Sequence, residues 1–278
     1  MISPYKIKYS GIASNELNIP DLITCVAMDS DNGETPSFLN RESVVSESHD
    51  GRYKRIHRLK YTETFSPKIT FMKSDFKDFS MEDVRVVMKW LTMKDTTALL
   101  EVFYDDSEVV SFASIGGFVD LQTYKLANNR TIAITATWDS ISPFALSDLY
   151  TVTKTITSTD NKITINIDTD DNKPVYPHII IKQNGVAGDI KIINQHYDFF
   201  NKPSTPVVMV VKNNTSTEEI EIDGANKIIS SKNTKRIFGD DFVDWIWLPL
   251  YDGKNVLTVE GNCTVTLKYR EVRKIGEY

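Results

Sequence analysis

Hydrophobic and polar residues alternate in short runs along most of this 278-residue chain. Val, Ile, Thr, Tyr and Phe dominate these runs, and Asn, Asp, Ser and Gly interrupt them. Alternation with a period of two places successive side chains on opposite faces of a strand, and these residue types favour strands. The pattern therefore predicts a mainly β protein.

The predicted strands form two groups, separated by "DSISPFALSD" with its proline at position 143. The first group includes "ALLEVFY", "EVVSFASI" and "RTIAITATW". In the second group strands recur every ~8–12 residues, which is typical of an antiparallel sandwich. The second group contains "KITINID", "HIIIKQ", "DIKIIN", "PVVMVV", "EEIEID", "KIISS", "WIWLPL", "NVLTVE" and "CTVTLKY". We expect an N-terminal domain over residues 1–143 and a C-terminal β-sandwich over residues 144–278. The last strand is expected either in the sandwich or back on the N-terminal domain.

One segment has helical periodicity, "SMEDVRVVMKWLTMK" over residues 80–94. Its apolar residues recur at i, i+3, i+4 and i+7, so they predict one stripe that packs on a sheet. The stripe consists of Val84, Val87, Met88 and Leu91. Ser80 and Asp83 fit a variant of the capping box, which predicts the first turn. Trp90 lies off the stripe and is predicted either in the core or in a contact.

A long basic hairpin is predicted over about residues 41–62, with "SHDG" as its turn. Strict alternation gives one face with Tyr53, Arg55, His57, Leu59 and Tyr61, and another with Lys54, Ile56, Arg58 and Lys60. Neither face is cleanly apolar, so we do not expect the hairpin in the core of its own domain. It is either a solvated ribbon or an arm that pairs with a neighbouring subunit, since exposed strand edges favour pairing. The predicted contact residues are Tyr53, Arg55, His57 and Arg58.

Aromatic residues and two carboxylates occur together in "WIWLPLYDGKNVLTVEG", residues 245–261. The segment predicts a strand and then a hairpin loop with Asp-Gly at its centre. Trp245 and Trp247 share one predicted face and, with Tyr251, are candidates for contact with a sugar or a protein. Alternation and turn chemistry place Asp252 and Glu260 in solvent or in the loop. A carboxylate pair in a sugar-cleaving cleft is the alternative.

Charge and hydropathy exclude several classes of protein. The net charge of −6 argues against nucleic-acid binding through a basic patch. No apolar run approaches the ~18 residues of a membrane-spanning helix, and the N-terminal segment lacks the apolar stretch of a signal peptide. The two cysteines, Cys25 and Cys263, are expected as buried thiols in a reducing cytoplasm, with a long-range disulfide as the alternative.

Sequence motifs give no catalytic or metal site. The four His residues lie in no recognisable motif, and no P-loop, G-x-S-x-G or H-E-x-x-H occurs. Asp168, Asp170 and Asn172 have the spacing of a calcium loop but lack the Gly and Glu that complete it, so a turn is predicted. We therefore expect no catalytic residue, no metal and no cofactor.

The order of elements resembles the distal tail (Dit) proteins of long-tailed bacteriophages, the siphophages, and of related prophage particles. The resemblance runs through "YSGIASNEL", "FSPKITF", "MEDVRVVMKWL", "LLEVFYDD", "RTIAITATW", "SPFALSD" and the closing "WLPLYDGKNVLTVEGNCTVTLKYRE". It covers essentially the whole chain, and it rests on the order of weak patterns because the family has no catalytic signature.

The resemblance implies a β-rich N-terminal domain with one helix that forms a hexameric ring, and a C-terminal sandwich similar to galectins and carbohydrate-binding modules. It implies a structural, non-enzymatic protein of the virion tail tip, or baseplate, that is assembled in the bacterial cytoplasm. The implied partners are other copies of the chain, the tail tube protein, the tail-associated hub protein, and a receptor-binding protein or host glycan. The ring would enclose a channel for DNA without binding it specifically.

A second hypothesis stays open. The chain could be a carbohydrate-binding, lectin-like protein of host adhesion, in which Trp245, Trp247 or Tyr251 stacks on sugar rings.

Overall fold

A computed structural model describes residues 6–27, 41–47, 54–62, 64–103, 108–198 and 200–274. The chain divides into two compact units, Met1–Asp148 with Arg273–Tyr278, and Leu149–Val272. The sequence predicts a boundary between residues 143 and 144, and the two units divide between Asp148 and Leu149. The independent folding of the two halves stays a prediction.

The regular elements follow one another along the chain with short connections. Three short 3-10 turns lie at Ser14–Leu17, Ser74–Phe76 and Val243–Trp245. The other elements are β1 (Lys6–Tyr9), β2 (Ile12–Ala13), β3 (Leu22–Ala27), β4 (Arg41–Glu47), β5 (Lys54–Tyr61), β6 (Lys68–Lys73), α1 (Met81–Leu91), β7 (Ala98–Phe103), β8 (Phe112–Lys125), β9 (Thr131–Ser140), β10 (Ala145–Leu146), β11 (Tyr150–Thr155), β12 (Lys162–Ile167), β13 (His178–Gln183), β14 (Gly188–Tyr197), β15 (Val207–Asn214), β16 (Glu219–Asp223), β17 (Ile228–Ser231), β18 (Gly253–Glu260), β19 (Cys263–Tyr269) and β20 (Val272–Arg273).

The first unit is built on a nine-stranded sheet with the order β2-β1-β7-β8-β9-β6-β3, to which β10 and β20 are added beside β8. Strands that are neighbours along this path pair antiparallel. β8 and β9 approach closely at Gly116, where a Cβ atom would lie 2.2 Å from the carbonyl oxygen of Asp139. Only glycine fits at this position, so the "SIGG" segment sets how the two long strands pack.

Helix α1 packs on this sheet through the predicted stripe. Val87 and Leu91 are fully buried, at 0% and 1% exposure. Trp90 is also buried, and its ring contacts Tyr9 and Phe71 edge to face, with centroid distances of 6.2 and 5.8 Å. Trp90 is therefore a core residue, which resolves the alternative left open by the sequence.

The second unit is a β-sandwich. One sheet has the order β11-β19-β13-β16-β17 and the other the order β12-β18-β14-β15. Every second residue of each central strand enters a shared core. The innermost residues include Ile179, Ile181, Ile192, Leu257, Val259, Val265 and Leu267. The predicted fold class, a β-rich domain with one helix and a hairpin followed by a sandwich, is confirmed.

The predicted hairpin around "YDGKN" is wrong. Gly253 already belongs to β18, which pairs with β12 on one side and β14 on the other. The next strand, β19, pairs with β11 and β13 in the opposite sheet. Consecutive strands here cross from one sheet to the other, because both must place an apolar face in the same core. Alternation alone cannot distinguish this crossing from a hairpin.

The first prediction concerns the N-terminal cap of α1. Ser80 Oγ accepts a hydrogen bond from the Asp83 N–H at 3.1 Å, and the Asp83 carboxylate accepts from the Ser80 N–H at 2.9 Å and from Lys73 at 2.7 Å. Ser80→Ala should lower the free energy of unfolding by about 1 kcal/mol. Ser230→Ala, at an exposed strand position, should change it by less than about 0.5 kcal/mol. Urea denaturation measures both, and equal effects would contradict the assignment of the cap.

The same cap should make stability depend on pH. Partial burial acts to raise the pKa of Asp83, but the hydrogen bonds from Lys73 and Ser80 outweigh it and hold the pKa below its ordinary value of 3.8. Because the folded-state pKa is depressed, this stabilisation is present above pH 3.8 and is lost as the pH falls through the folded-state pKa. The stability difference between the wild type and Asp83→Asn should therefore shrink in acid.

Candidate functional site

The hairpin of β4 and β5 forms a two-stranded sheet of its own. Three of its apolar side chains are strongly exposed, namely Ile56 at 62%, Leu59 at 52% and Val45 at 40%. At the base of the hairpin, the Tyr61 ring packs edge to face on Phe144 with a centroid distance of 4.8 Å. The hairpin is thus fixed at its base, and its exposed faces are free of the core, as the sequence predicts.

A β-bulge interrupts the hairpin at His57. Val44 is paired with Arg58 and Val45 with Ile56, so His57 has no residue opposite it in the register. Its ring nitrogen Nε2 lies 2.7 Å from Ser46 Oγ. Paired residues share a face and successive residues of β4 do not, so Ile56 and Arg58 lie on opposite faces. The prediction that they share a face is wrong, because strict alternation ignores the extra residue.

The bulge sorts the hairpin into an apolar and a charged face. The apolar face is centred on Val45, Ile56 and Leu59, with Tyr61 at its base and Arg41 and Lys54 at its ends. The charged face carries Glu42, Arg55, Arg58 and Lys60. Without the bulge these residues would be mixed on both faces. We call the first set the hairpin apolar face.

The sequence-predicted contact residues take different places on the hairpin. Arg55 and Arg58 lie on the charged face, paired with Ser46 and Val44. His57 lies at the bulge. Tyr53 and the predicted "SHDG" turn lie outside the described residues.

The aromatic segment near the C-terminus is not a strand, contrary to prediction. Val243–Trp245 is a short 3-10 turn, in which Asp244 and Trp245 have φ angles of 55° and 49°. Among residues 246–251, only Leu250 pairs, in an isolated bridge to Val175. Left-handed φ angles at non-glycine residues break strand geometry, and Pro249 supplies no N–H for a ladder. Trp245 and Trp247 therefore do not share a strand face.

The aromatic rings nevertheless form one cluster around Phe242, which is buried. Its ring centroid lies 5.4 Å from that of Trp245 and 5.1 Å from that of Trp247. Trp247 is half-buried against the core, and Tyr251 is half-buried beside His196. Trp245 alone among the three predicted contact residues is strongly exposed, at 49%.

Two buried asparagines hold the segment that follows the cluster. Asn255 accepts a hydrogen bond from the Tyr251 N–H at 3.0 Å and donates to the Tyr251 carbonyl at 2.7 Å. Asn194 donates to the carbonyl of Pro249 at 2.7 Å and to Asn255 at 3.0 Å. The Asn255 side chain thus replaces the strand neighbour that Tyr251 lacks, and it fixes the irregular backbone.

A buried ion pair holds the preceding loop. The Arg236 guanidinium donates to Glu218 at 3.1 Å and to Asn214 at 3.1 Å, and it forms an ion pair with Asp241 at 3.3 Å. Glu218 is fully buried, and Thr215 N–H donates to its second bond partner oxygen at 3.0 Å. The charges of this site satisfy one another, so its arrangement is structural.

The carboxylates Asp252 and Glu260 cannot act as a catalytic pair. They flank a single strand, so their Cα atoms lie about 26 Å apart at ~3.3 Å per residue. Glycosidase carboxylates lie only ~5–9.5 Å apart. Asp252 accepts a hydrogen bond from the Thr169 N–H at 3.1 Å, and Glu260 pairs with Lys191 at 3.3 Å on the surface. Both side chains serve local structure or lie in solvent, as turn chemistry predicts.

The remaining sequence candidates give no reactive site. In the described parts of the chain, no group of three or more His, Cys, Asp or Glu side chains could hold a metal ion. Cys25 and Cys263 are free, buried thiols, and burial raises the pKa of Cys263 to about 11. The long-range disulfide is thus not formed. Of the helices in the described ranges, none is both long and apolar enough to cross a membrane.

Two family models match the sequence over nearly its whole length. One is described as the phage tail protein N-terminal domain and matches residues 5–140. The other is described as the phage tail C-terminal domain and matches residues 144–269. The chain belongs to this family of phage tail proteins. No curated protein matches the sequence significantly.

Solved structures share the fold of this tail protein. The SPP1 Dit protein (gp 19.1), described as a paradigm of the hub adsorption apparatus in phages that infect Gram-positive bacteria, is similar with a TM-score of 0.60 and 13% identity, over 95% of this chain and 98% of that chain. A chain of the phage P2 baseplate in its activated conformation with Ca is similar with a TM-score of 0.55 and 11% identity, over 99% of this chain and 100% of that chain. The predicted resemblance to Dit is confirmed at the level of the fold.

The second prediction tests the ion pair that holds the loop of this tail protein. Arg236→Met leaves the buried Glu218 without its cation, and should lower the free energy of unfolding by about 3 kcal/mol. Adding Glu218→Gln should restore a large part of the loss, because the unpaired charge is then removed. Arg85→Met breaks an exposed pair with Glu82 and should cost at most ~0.5 kcal/mol. Thermal denaturation compares the variants, and a loss for Arg236→Met no larger than that for Arg85→Met would contradict this role.

Proposed function

We propose that this phage tail protein is a hub subunit of the tail tip, and that it assembles into a homohexameric ring through its first unit. The ring joins the tail tube protein to the tail-associated hub protein and encloses a channel for DNA. Its sandwiches face outward toward the receptor-binding apparatus. Assembly takes place in the cytoplasm of the bacterial host.

The observation that carries this proposal is the hairpin apolar face. Ile56 and Leu59 are more than half exposed on a ribbon with no second layer of structure over them in the described residues. A two-stranded hairpin is marginally stable in water by itself. An apolar face on such a ribbon is therefore most stable when another subunit covers it.

Ring closure requires each subunit to present two different surfaces that fit one another. We propose the hairpin as one of them, with the exposed apolar residues at the centre of the contact and Arg55, His57 and Arg58 at its charged side. Tyr53 completes the proposed contact set. The fold shared with the Dit hub protein supports the same arrangement.

We also infer that the protein is not an enzyme. The one carboxylate pair suggested by the sequence, Asp252 and Glu260, lies at opposite ends of β18. Family membership among phage tail proteins supports a structural role.

The third prediction tests the hairpin contact. Ile56→Asp combined with Leu59→Asp should dissociate the oligomer, because burial of each large aliphatic side chain contributes about 1.5–3 kcal/mol. The dissociation constant should rise at least about tenfold. Light scattering of the full chain over a range of concentrations measures this. The matched control is Ile228→Asp with Ile237→Asp, two apolar residues of the sandwich that are 57% and 91% exposed.

The charged face is tested separately by Arg55→Glu combined with Arg58→Glu. If the apolar pair leaves the oligomer intact and the arginine pair dissociates it, the contact belongs to the charged face. An oligomer unchanged by both pairs would remove the hairpin from the interface.

A second function, glycan binding by the sandwich, is favoured by Trp245. Its ring is 49% exposed beside the exposed Asp244, and its backbone is held in a left-handed conformation that bulky residues rarely adopt. Strained, exposed residues concentrate at binding sites. A flat aromatic ring next to a carboxylate can stack on a sugar and bind its hydroxyl groups.

The fourth prediction addresses this glycan site. If the sandwich binds glycan, Trp245→Ala should reduce binding of the full chain to host wall polysaccharide at least about tenfold, the loss of one stacking contact of ~1.4 kcal/mol. Phe200→Ala, which removes another strongly exposed aromatic side chain of the same unit, should leave binding unchanged. Surface plasmon resonance and a glycan array measure binding. A wild-type chain that binds no polysaccharide, or equal losses in both variants, would reject this function.

A further inference from the structure

The two outer faces of the sandwich have different chemistry. Residues that alternate with the core residues of each sheet point away from the core. On the five-stranded sheet they are mainly threonines and charged residues, among them Thr153, Thr155, Thr264, Thr266, Glu219 and Glu221. Such a face is well hydrated and needs no partner.

The four-stranded sheet carries an apolar strip on its outer face. Ile193 is paired directly with Val208 across β14 and β15, and Val210 follows two residues later on β15. Ile193 is also paired with Thr258, so Val256 lies diagonally beside it on β18. All four apolar side chains are half-buried. The strip crosses three strands, which is about 10 Å of sheet.

Lysines surround this outer strip. Lys191 and Lys212 extend from the strands that carry Ile193 and Val208, and Lys254 and Lys162 lie on β18 and β12. The acidic residue among these outward positions of β18 is Glu260, which pairs with Lys191 at 3.3 Å. The face is thus locally positive, although the whole chain has a net charge of −6.

We propose that this face is a docking surface for a different tail protein, one that presents an apolar ridge flanked by Asp and Glu side chains. An apolar centre with a charged rim is the usual anatomy of a protein interface, and complementary charges fix partner and register. The proposal rests on the proposed assembly of the chain into a tail tip. It adds the surface and the chemistry of the partner.

A second copy of the chain fits this face poorly. Two copies related by a two-fold axis would bring the same lysines together, and like charges that face each other are destabilising. The outer face of the five-stranded sheet offers threonines where the strip needs apolar side chains. The charges therefore favour a different, acidic partner.

The fifth prediction uses two matched cysteine variants. Thr164 and Thr153 are both exposed threonines on edge strands, and Thr164 is paired with Val256 beside the strip, whereas Thr153 lies on the opposite outer face. The natural cysteines are buried at 6% and 0% exposure, so they should stay silent toward maleimide. Thr164→Cys should label at least about tenfold more slowly in purified tail particles than in the free full chain, and Thr153→Cys should label equally in both.

Immunoblotting of the particles separates this inference from the proposed function. Absence of the chain from the particles would overturn the proposed function. Presence of the chain with Thr164→Cys still fully reactive would overturn the docking surface alone.

A photo-crosslinker attached to Thr164→Cys then identifies the partner by mass spectrometry. A cross-link to an acidic tail protein supports the proposal, and a cross-link to a second copy or to a polysaccharide contradicts it. Lys162→Glu should abolish the cross-link, while Lys182→Glu on the opposite outer face should not. Equal effects of the two lysine variants would contradict the role of charge.

Discussion

The pairing register of the hairpin is the constraint on which the functional account depends. A two-stranded ribbon buries little apolar surface of its own, so the arrangement of its side chains decides whether it remains in solvent or needs a cover. The extra residue at His57 places Val45, Ile56 and Leu59 together and sends Arg55 and Arg58 to the other face. A single bulge thus converts a mixed basic ribbon into an amphipathic arm.

The same principle applies to the second unit, where regular alternation builds the core and interruptions create the exposed features. The left-handed turn at Asp244 and Trp245 pushes one tryptophan outward. Because this segment lacks strand partners, buried polar side chains hold it instead, with Asn255 on Tyr251 and Arg236 on the loop before it. Rigid anchors next to an exposed side chain are what a binding surface requires, since a pre-ordered surface loses less entropy on binding.

Local patterns predicted much of the fold. The helix, its capping box and strands such as "HIIIKQ" and "CTVTLKY" follow from periodicity and from residue type, and β13 and β19 have those bounds. The bulge at His57 could not be predicted, because it depends on which residues of β4 lie opposite. The assignment of β18 and β19 to different sheets, and the pairing of Arg236 with the buried Glu218, likewise depend on contacts distant in sequence. Proline at position 249 was the available signal against a strand at "WIWLPL".

The central claim is that the first unit of this phage tail protein closes into a ring, and electron microscopy of the purified full chain tests it most directly. The account predicts closed rings of uniform size with a central opening and six-fold symmetry in class averages. Particles that remain single subunits at every concentration, or that form open chains without closure, would contradict it.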